Sequence, residues 1–427
     1  METALLFVLL LVFATLTLPI GVSLGLATLI IMKEFTNIPL SMISQNVFAG
    51  LDSFALLAIP FFMLAGNLMA LGGIAKRIVN LADYAFGKIT GGLAIVNVVS
   101  CMFFAAISGS GPATVSAIGS IMIPEMENRG YEKSFSTGLT AVAGTIGVVI
   151  PPSIPFVVYG VVAGASIGDI FIAGIIPGLL IGIALVAVAY FISKKRGYRG
   201  KEREKSDLSF FKVFKDSFWA LMAPVIILGG IYGGVFTPTE ASVVAIVYSL
   251  FAGIFIYKEL TWKIWIDSLK ATADLNGMTG LAIGFSMAFA SYLSVEQIPV
   301  TIGAFLGSAI SSDIVMKLLI LVILLVVGCF VDNISSCLIL TPVFLPLVKS
   351  MGVDPIHFGI FMTVALAIGF VTPPYGANLF VASAVANMRY ENIAKAAIPF
   401  LISMVVCLLL ITFIPDISMF LVYLMRG

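Results

Sequence analysis

The chain repeats itself at a fixed offset: adding 222 to a position in the first half reaches its counterpart in the second. Asp52, Pro124, Gly130, Gly147, Pro151, Pro152 and Pro177 map in this way, without a gap, onto Asp274, Pro346, Gly352, Gly369, Pro373, Pro374 and Pro399. Nine prolines lie in the first half, and four of them land on prolines in the second. Chance would give roughly 0.4 such matches, so two copies of one unit are the better reading. Gly/Pro interruptions at corresponding places in apolar segments are the pattern of membrane carriers whose site lies between two repeats.

The segments between these landmarks are apolar. Hydrophobic residues make up 60% of the chain and charged residues 11%, against about 25% charged in a soluble domain. The mean hydropathy is +1.14. Stretches of ~20 mostly apolar residues, enough for one crossing, recur along the whole length. The expected class is an all-α polytopic membrane protein lying in a lipid bilayer. The net charge of +1 says nothing about nucleic acid, and with no basic patch interleaved with aromatics to suggest one, no nucleic-acid partner is expected. Cys101, Cys329, Cys337 and Cys407 sit in apolar surroundings without CxxC spacing and read as small hydrophobes. No Lys or Arg precedes Lys33, and Glu2 is acidic, which argues against a cleaved signal peptide.

Leu5 to Met32 is apolar with a break at Leu18-Pro19, and makes one long tilted span or two short ones. Asn37 to Asp52 and its repeat partner Glu259 to Asp274 are amphipathic and are expected to lie in the membrane interface. Spans follow at 54–71 and 276–294. Next come paired apolar arms, within 92–126 and 314–348, each shorter than the ~20 residues of a full crossing. Their tips, Ser108-Gly109-Ser110-Gly111-Pro112 and Asp332-Asn333-Ile334-Ser335-Ser336, are polar. Both pairs are expected to form re-entrant helical hairpins, because irregular backbone at membrane depth must be covered by protein or line a cavity. The stretches 134–164 and 357–386 are each interrupted midway, at Gly147 to Pro152 and Gly369 to Pro374. Paired prolines should unwind these helices and free carbonyls. A last span closes each half, at 170–193 and 396–415.

The first repeat thus covers 1–193 and the second 217–427. A basic loop, 194–216, joins them with nine Lys and Arg residues: Lys194, Lys195, Arg196, Arg199, Lys201, Arg203, Lys205, Lys212 and Lys215. Such a loop is expected to be cytoplasmic. Counting spans from it makes the repeats inverted, with the first hairpin entering from the cytoplasm and the second from outside. The C-terminus then lies outside, as does the N-terminus if Leu5 to Met32 crosses twice.

Where the two tips and the two breaks meet, they offer chemistry that single spans cannot. Ser108, Ser110 and Thr114 supply hydroxyls, and Asp332 supplies a carboxylate. Gly147, Val149, Gly369 and Thr372 supply carbonyls. Na⁺ takes several oxygens, and helix N-termini after each break suit an anion. An acid at membrane depth is a functional candidate by default; the plain alternative for Asp332 is a tip residue in contact with water. Glu240, in Thr237-Pro238-Thr239-Glu240, reads as a second candidate or as a helix cap. Asp52 and Asp274 read as structural helix ends. His357, the lone histidine, is placed in a loop after Pro355, without a metal or catalytic role.

Four of these segments resemble the large membrane subunit of tripartite ATP-independent periplasmic (TRAP) transporters. They are Ser108 to Thr114, Ile150 to Pro155, Gly234 to Glu240 and Val371 to Ala377, and the likeness covers nearly the whole chain. The resemblance implies an elevator-type mechanism in the bacterial inner membrane, driven by a Na⁺ gradient, and no enzymatic activity. It implies two partners, a small membrane subunit and a periplasmic binding protein that delivers an organic acid anion. Carried over by motif, one Na⁺ site uses Ser108, Ser110, Gly147 and Val149, and a second uses Asp332, Gly369 and Thr372. The substrate carboxylate lies near Ser110, Ser153 and Asn378. Sialic acids and C4-dicarboxylates are the implied substrates, with the pattern closest to the sialic-acid branch. Three alternatives stand beside this reading: a stand-alone Na⁺/anion symporter, a channel, and an intramembrane enzyme, for which a chain with one histidine supplies no nucleophile–base pair.

Overall fold

Apolar runs punctuated by Gly and Pro fold into twenty α-helices, with no strand among the described residues. The computed structural model describes residues 2–16, 18–200, 209–310 and 312–426. Lys201, Arg203 and Lys205 of the basic loop lie outside the described residues. The first half comprises α1 (Glu2–Thr15), α2 (Ile20–Phe35), α3 (Ser41–Leu51), α4 (Ala58–Leu71) and α5 (Ile74–Phe86). It continues with α6 (Gly92–Ser108), α7 (Gly111–Asn128), α8 (Lys133–Ala143), α9 (Ile154–Ala163) and α10 (Ile167–Arg196). The second comprises α11 (Phe210–Tyr232), α12 (Pro238–Phe251), α13 (Trp262–Val295), α14 (Ile298–Ala309) and α15 (Asp313–Gly328). It ends with α16 (Asn333–Ser350), α17 (Pro355–Gly369), α18 (Ala377–Ala386), α19 (Tyr390–Phe413) and α20 (Asp416–Arg426).

Seven helices among the described residues are long and apolar enough to cross a membrane. Large apolar side chains such as Phe191, Phe211 and Phe255 are 68%, 74% and 67% exposed. A surface like this suits lipid, which makes the chain a multi-pass membrane protein.

The repeat is visible in backbone detail. Gly130 and Gly352, partners under the repeat, both have positive φ, at 79° and 74°. The bonds Pro151–Pro152 and Pro373–Pro374 are both cis. Packing is reciprocal: α7 lies against α18 and α16 against α9, while α2 lies against α13 and α4 against α12. These contacts between the halves come in matched pairs, as a two-fold relation between them produces.

Where the halves differ, the cause is local. The first copy breaks between α3 and α4, whereas α13 runs unbroken for 34 residues, about 50 Å at 1.5 Å per residue. The chain leaves α3 at Asp52 and is extended at Ser53 (φ −129°, ψ 120°) before α4; the equivalent residues, Asp274 and Leu275, stay helical within α13. So Glu259 to Asp274 is not a separate interfacial helix, and Asp274 ends nothing: it lies mid-helix and exposed. Asp52, by contrast, does terminate α3.

Leu5 to Met32 resolves into two helices, parted at Leu18-Pro19, that pack on each other. His357 belongs to helix α17 instead of a loop. Asp354 caps that helix, accepting from Ile356 N–H at 2.7 Å, and Pro355 fits its first turn. Buried there, His357 bonds Ser418 Oγ through Nδ1 at 2.7 Å and the Thr412 carbonyl through Nε2 at 3.3 Å. Helices α11 and α12 add two spans between the basic loop and Glu259.

Glu240 caps α12. Its Oε2 accepts from Thr237 N–H at 2.8 Å, and Glu240 N–H donates to Thr237 Oγ1 at 3.2 Å, a reciprocal box. Thr237→Ala should therefore cost about 1 kcal/mol of stability and leave transport unchanged, as thermal unfolding and uptake of the same preparation would show.

Candidate functional site

Each hairpin is pinned by its tip to the break of its own half. Residues 109–110 link α6 to α7, and the Gly109 carbonyl accepts from Ile154 N–H at 3.2 Å. Gly109 has φ +60°, and a Cβ there would lie 2.7 Å from the Pro152 carbonyl oxygen, so a glycine is required. In the second half the Cys329 carbonyl accepts from Tyr375 N–H, also at 3.2 Å. Gly369 meets Gly328 so closely that a Cβ on it would lie 2.1 Å from the Gly328 oxygen.

Three of the four expected ligands of the first cation, Ser108, Ser110 and Gly147, come together at one tip with Thr114. Ser108 Oγ and Thr114 Oγ1 are 2.9 Å apart, and Thr114 Oγ1 donates to the Ser110 carbonyl at 2.8 Å. Gly147 sits against both: a Cβ there would be 2.6 Å from Ser110 O and from Thr114 Oγ1. Val149 follows in the same break, and its carbonyl oxygen lies against Gly174 of α10. In the second set, Asp332 caps α16 by accepting from Ser335 N–H at 3.0 Å. Gly369 touches the end of α15 in that same tip. Thr372 follows in the break, its Oγ1 donating to the Ile368 carbonyl at 2.8 Å.

Ser110 and Asp332 occupy equivalent positions in the two repeats. Each caps the second arm of its hairpin, Ser110 accepting from Ala113 N–H at 3.5 Å. This equivalence was available from the repeat offset alone.

The proposed substrate residues are distributed around the same place. Ser153 is fully buried and caps α9, accepting from Phe156 N–H at 3.4 Å. Asn378, also fully buried, donates from Nδ2 to the Ala141 carbonyl of α8 at 3.1 Å. Its amide rests against Gly111, so it ties the second break to the first hairpin.

Tips and breaks converge on a cavity of about 510 Å³. Gly109, Ser110 and Pro112 line it from the first tip, and Asp332 to Ser335 from the second. Val148, Ile154 and Pro155 come from one break, and Phe370, Tyr375 and Ala377 from the other. The opposite wall is largely apolar: Pro19 to Gly21, Met63, and Leu275, Met278, Leu281 and Ala282 of α13, with Thr279 as its one hydroxyl. Sequence patterning alone did not place this wall, because it depends on how α2 and α13 cross. Among the described lining residues none is Lys, Arg or His, and Asp332 is the one formal charge. The N-terminal ends of α7, α9, α16 and α18 all reach the cavity. Each carries roughly half a positive charge.

Two hairpins and two broken helices around one such cavity define a membrane carrier built from two halves. The family model for the tripartite ATP-independent periplasmic transporter, DctM component, matches residues 7–417, and the chain belongs to that family. It is a TRAP transporter permease, not an enzyme. It is 47% identical over 408 residues to the isethionate TRAP transporter permease protein DctMQ of Oleidesulfovibrio alaskensis. That match covers 96% of this chain and 64% of the relative, so the chain spans a little under two thirds of that protein. It is 41% identical to the C4-dicarboxylate TRAP transporter large permease protein DctM of Pseudomonas aeruginosa, over 93% of each chain. It is 37% identical to the sialic acid TRAP transporter large permease protein SiaM of Vibrio cholerae, over 96% of each. Among solved structures, the YdaH transporter of Alcanivorax borkumensis shares the fold. Its TM-score is 0.66 at 13% identity, covering 97% of this chain and all of that one.

Proposed function

We propose that this chain is the large membrane subunit of a Na⁺-coupled importer of a small organic acid anion in the bacterial inner membrane. A small membrane subunit completes the membrane part, and a periplasmic binding protein delivers the anion. The observation that carries the reading is the charge content of the cavity. An anion buried there meets four helix N-termini and, among the described lining residues, no cationic side chain, while Asp332 adds a negative charge. Moving a charge away from water is costly unless it is paired. Cations travelling with the anion would neutralise both it and Asp332, and the oxygen cluster at the first tip and the Asp332 carboxylate at the second are suited to hold them. Ser108, Ser110, Gly147 and Val149 would serve one Na⁺, and Asp332, Gly369 and Thr372 another. The anion would lie between the tips, near Ser110, Ser153 and Asn378.

The elevator reading draws on the same cavity. The α2 and α13 wall is largely apolar, with Thr279 as its one hydroxyl. Tips and breaks could slide along such a wall. The inverted orientation of the two repeats follows from placing the basic loop 194–216 in the cytoplasm. As for substrate, the relative named for isethionate is more similar to this chain than those named for C4-dicarboxylates and sialic acid. Sulfonates therefore join carboxylates in the proposed class.

The test is uptake of labelled isethionate, succinate and sialic acid into proteoliposomes holding this chain and its small subunit. Uptake should saturate and should need both an inward Na⁺ gradient and a binding protein. Uptake with the gradient alone would favour a stand-alone symporter. Gradient-independent, non-saturating flux would favour a channel and refute the proposal.

A further inference from the structure

The second hairpin tip holds a side chain that the fold itself does not use. Asn333, the first residue of α16, lines the cavity next to Asp332. It is 1% exposed, and neither Nδ2 nor Oδ1 has a hydrogen-bond partner among the described residues. A buried amide with two unmet atoms weakens a fold, and lipid cannot satisfy it. A group of this kind calls for an explanation, and a ligand that completes it is one.

The repeat sharpens the assignment. The same offset relates Asn333 to Gly111, the first residue of α7. Gly111 has no side chain, yet an amide lies beside it: Asn378 Oδ1 is 3.1 Å from where a Cβ on Gly111 would be. Each tip therefore carries one buried amide at the first turn of its second arm, and the first tip borrows its amide from α18. The two differ in what remains free. Asn378 Nδ2 already donates to the Ala141 carbonyl. Flipping that amide would set oxygen against oxygen, so its orientation is fixed and only Oδ1, an acceptor, is left. Asn333 keeps its donor, and an anion needs donors.

We propose that Asn333 positions the transported anion, its Nδ2–H donating to the acidic group of the substrate at the N-terminus of α16. This deepens the Na⁺/anion symport reading above and rests on it.

The experiment uses the purified complex with its small subunit, in Na⁺ and without binding protein. The probe is whichever of isethionate, succinate and sialic acid the wild type takes up. Anion-dependent thermal stabilisation gives the anion affinity, and stabilisation by Na⁺ alone gives the cation affinity. Asn333→Ala should weaken anion binding at least about tenfold, the loss of one charge-assisted hydrogen bond. Its Na⁺ stabilisation should stay within about twofold of wild type. Asn333→Asp, which replaces the donor with a like charge, should abolish anion binding, and Asn333→Ser should fall between wild type and Ala. Anion affinity within twofold of wild type in Asn333→Ala, or a shift confined to Na⁺, would overturn the proposal. If Asn333→Ala does not fold, Ser and Asp variants of equal anion affinity would overturn it as well. A wild type that takes up no anion with a Na⁺ gradient would instead sink the symport reading, which the uptake assay shows separately.

Discussion

Asp332→Asn should insert and fold like the wild type and lose Na⁺-coupled uptake by at least about 100-fold. The two effects separate because Asp332 has two roles on one side chain. As the cap of α16 it needs only an oxygen that accepts from Ser335 N–H, and Asn caps about as well as Asp. As a proposed cation ligand it needs its charge. At an effective dielectric near 20, a full charge 4 Å from Na⁺ contributes about 4 kcal/mol. Of that, about 2.7 kcal/mol is already a hundredfold. Thermal unfolding should place the mutant beside the wild type, and uptake in proteoliposomes should find it inactive. A mutant with full coupled uptake would return Asp332 to a water-facing tip residue with a capping role alone.

Gly369→Ala should abolish uptake and lower stability together. Its new Cβ would lie 2.1 Å from the Gly328 oxygen, 2.2 Å from that carbonyl carbon and 2.6 Å from Gly328 Cα. These are backbone atoms, so no side chain can rotate out of the way. Either α17 or the tip of the second hairpin must move. Overpacking of this kind costs typically about 1–3 kcal/mol. Here it also displaces the Cys329–Tyr375 contact that pins the tip to its break. Gly277→Ala is the control. It lies in α13 with nothing within 4 Å of the added Cβ, and Ala is favoured over Gly in a helix by about 1 kcal/mol. That variant should be as stable as wild type or more so, with uptake retained. Equal behaviour of the two substitutions would remove the argument that glycine at 369 is fixed by backbone contact.

Much of this architecture was legible in the sequence because its signals are local. Proline pairs and Gly-rich tips break helices wherever they stand, so the hairpins at 92–126 and 314–348 and the interrupted stretches at 134–164 and 357–386 could be placed from composition. The expected arms match α6, α7, α15 and α16 to within a few positions. What the sequence could not show depends on distant packing. The unbroken α13 keeps Asp274 and Leu275 helical where Asp52 and Ser53 end the first helix, a difference that amphipathicity does not register. His357 follows a proline, which reads as a loop until Asp354 is seen to cap a helix there. The apolar wall opposite the tips arises from the crossing of α2 and α13, where a Cβ on Gly21 would come within 2.7 Å of the Ala282 backbone.

The candidate site divides along the same line. Ser108, Ser110, Thr114 and Gly147 were named from their motifs, and they do meet around the first tip. Asp332 was named for its charge, and it lines the cavity. Asn378 was expected to lie near the substrate carboxylate. Its donor proves to be engaged by Ala141, a contact across 237 positions of sequence that no motif could carry. Asn333 stood in plain view beside Asp332, but its lack of partners is a property of the packed fold.

The account turns on cations and an anion sharing the cavity between the tips, and equilibrium binding of ²²Na⁺ to the purified complex tests this most directly. Binding should saturate at two ions per chain and tighten when the transported anion is present. Asp332→Asn should remove one of the two ions and the effect of the anion with it. Saturable Na⁺ binding that is indifferent to both the anion and Asp332, or no Na⁺ binding at all, would contradict the shared site.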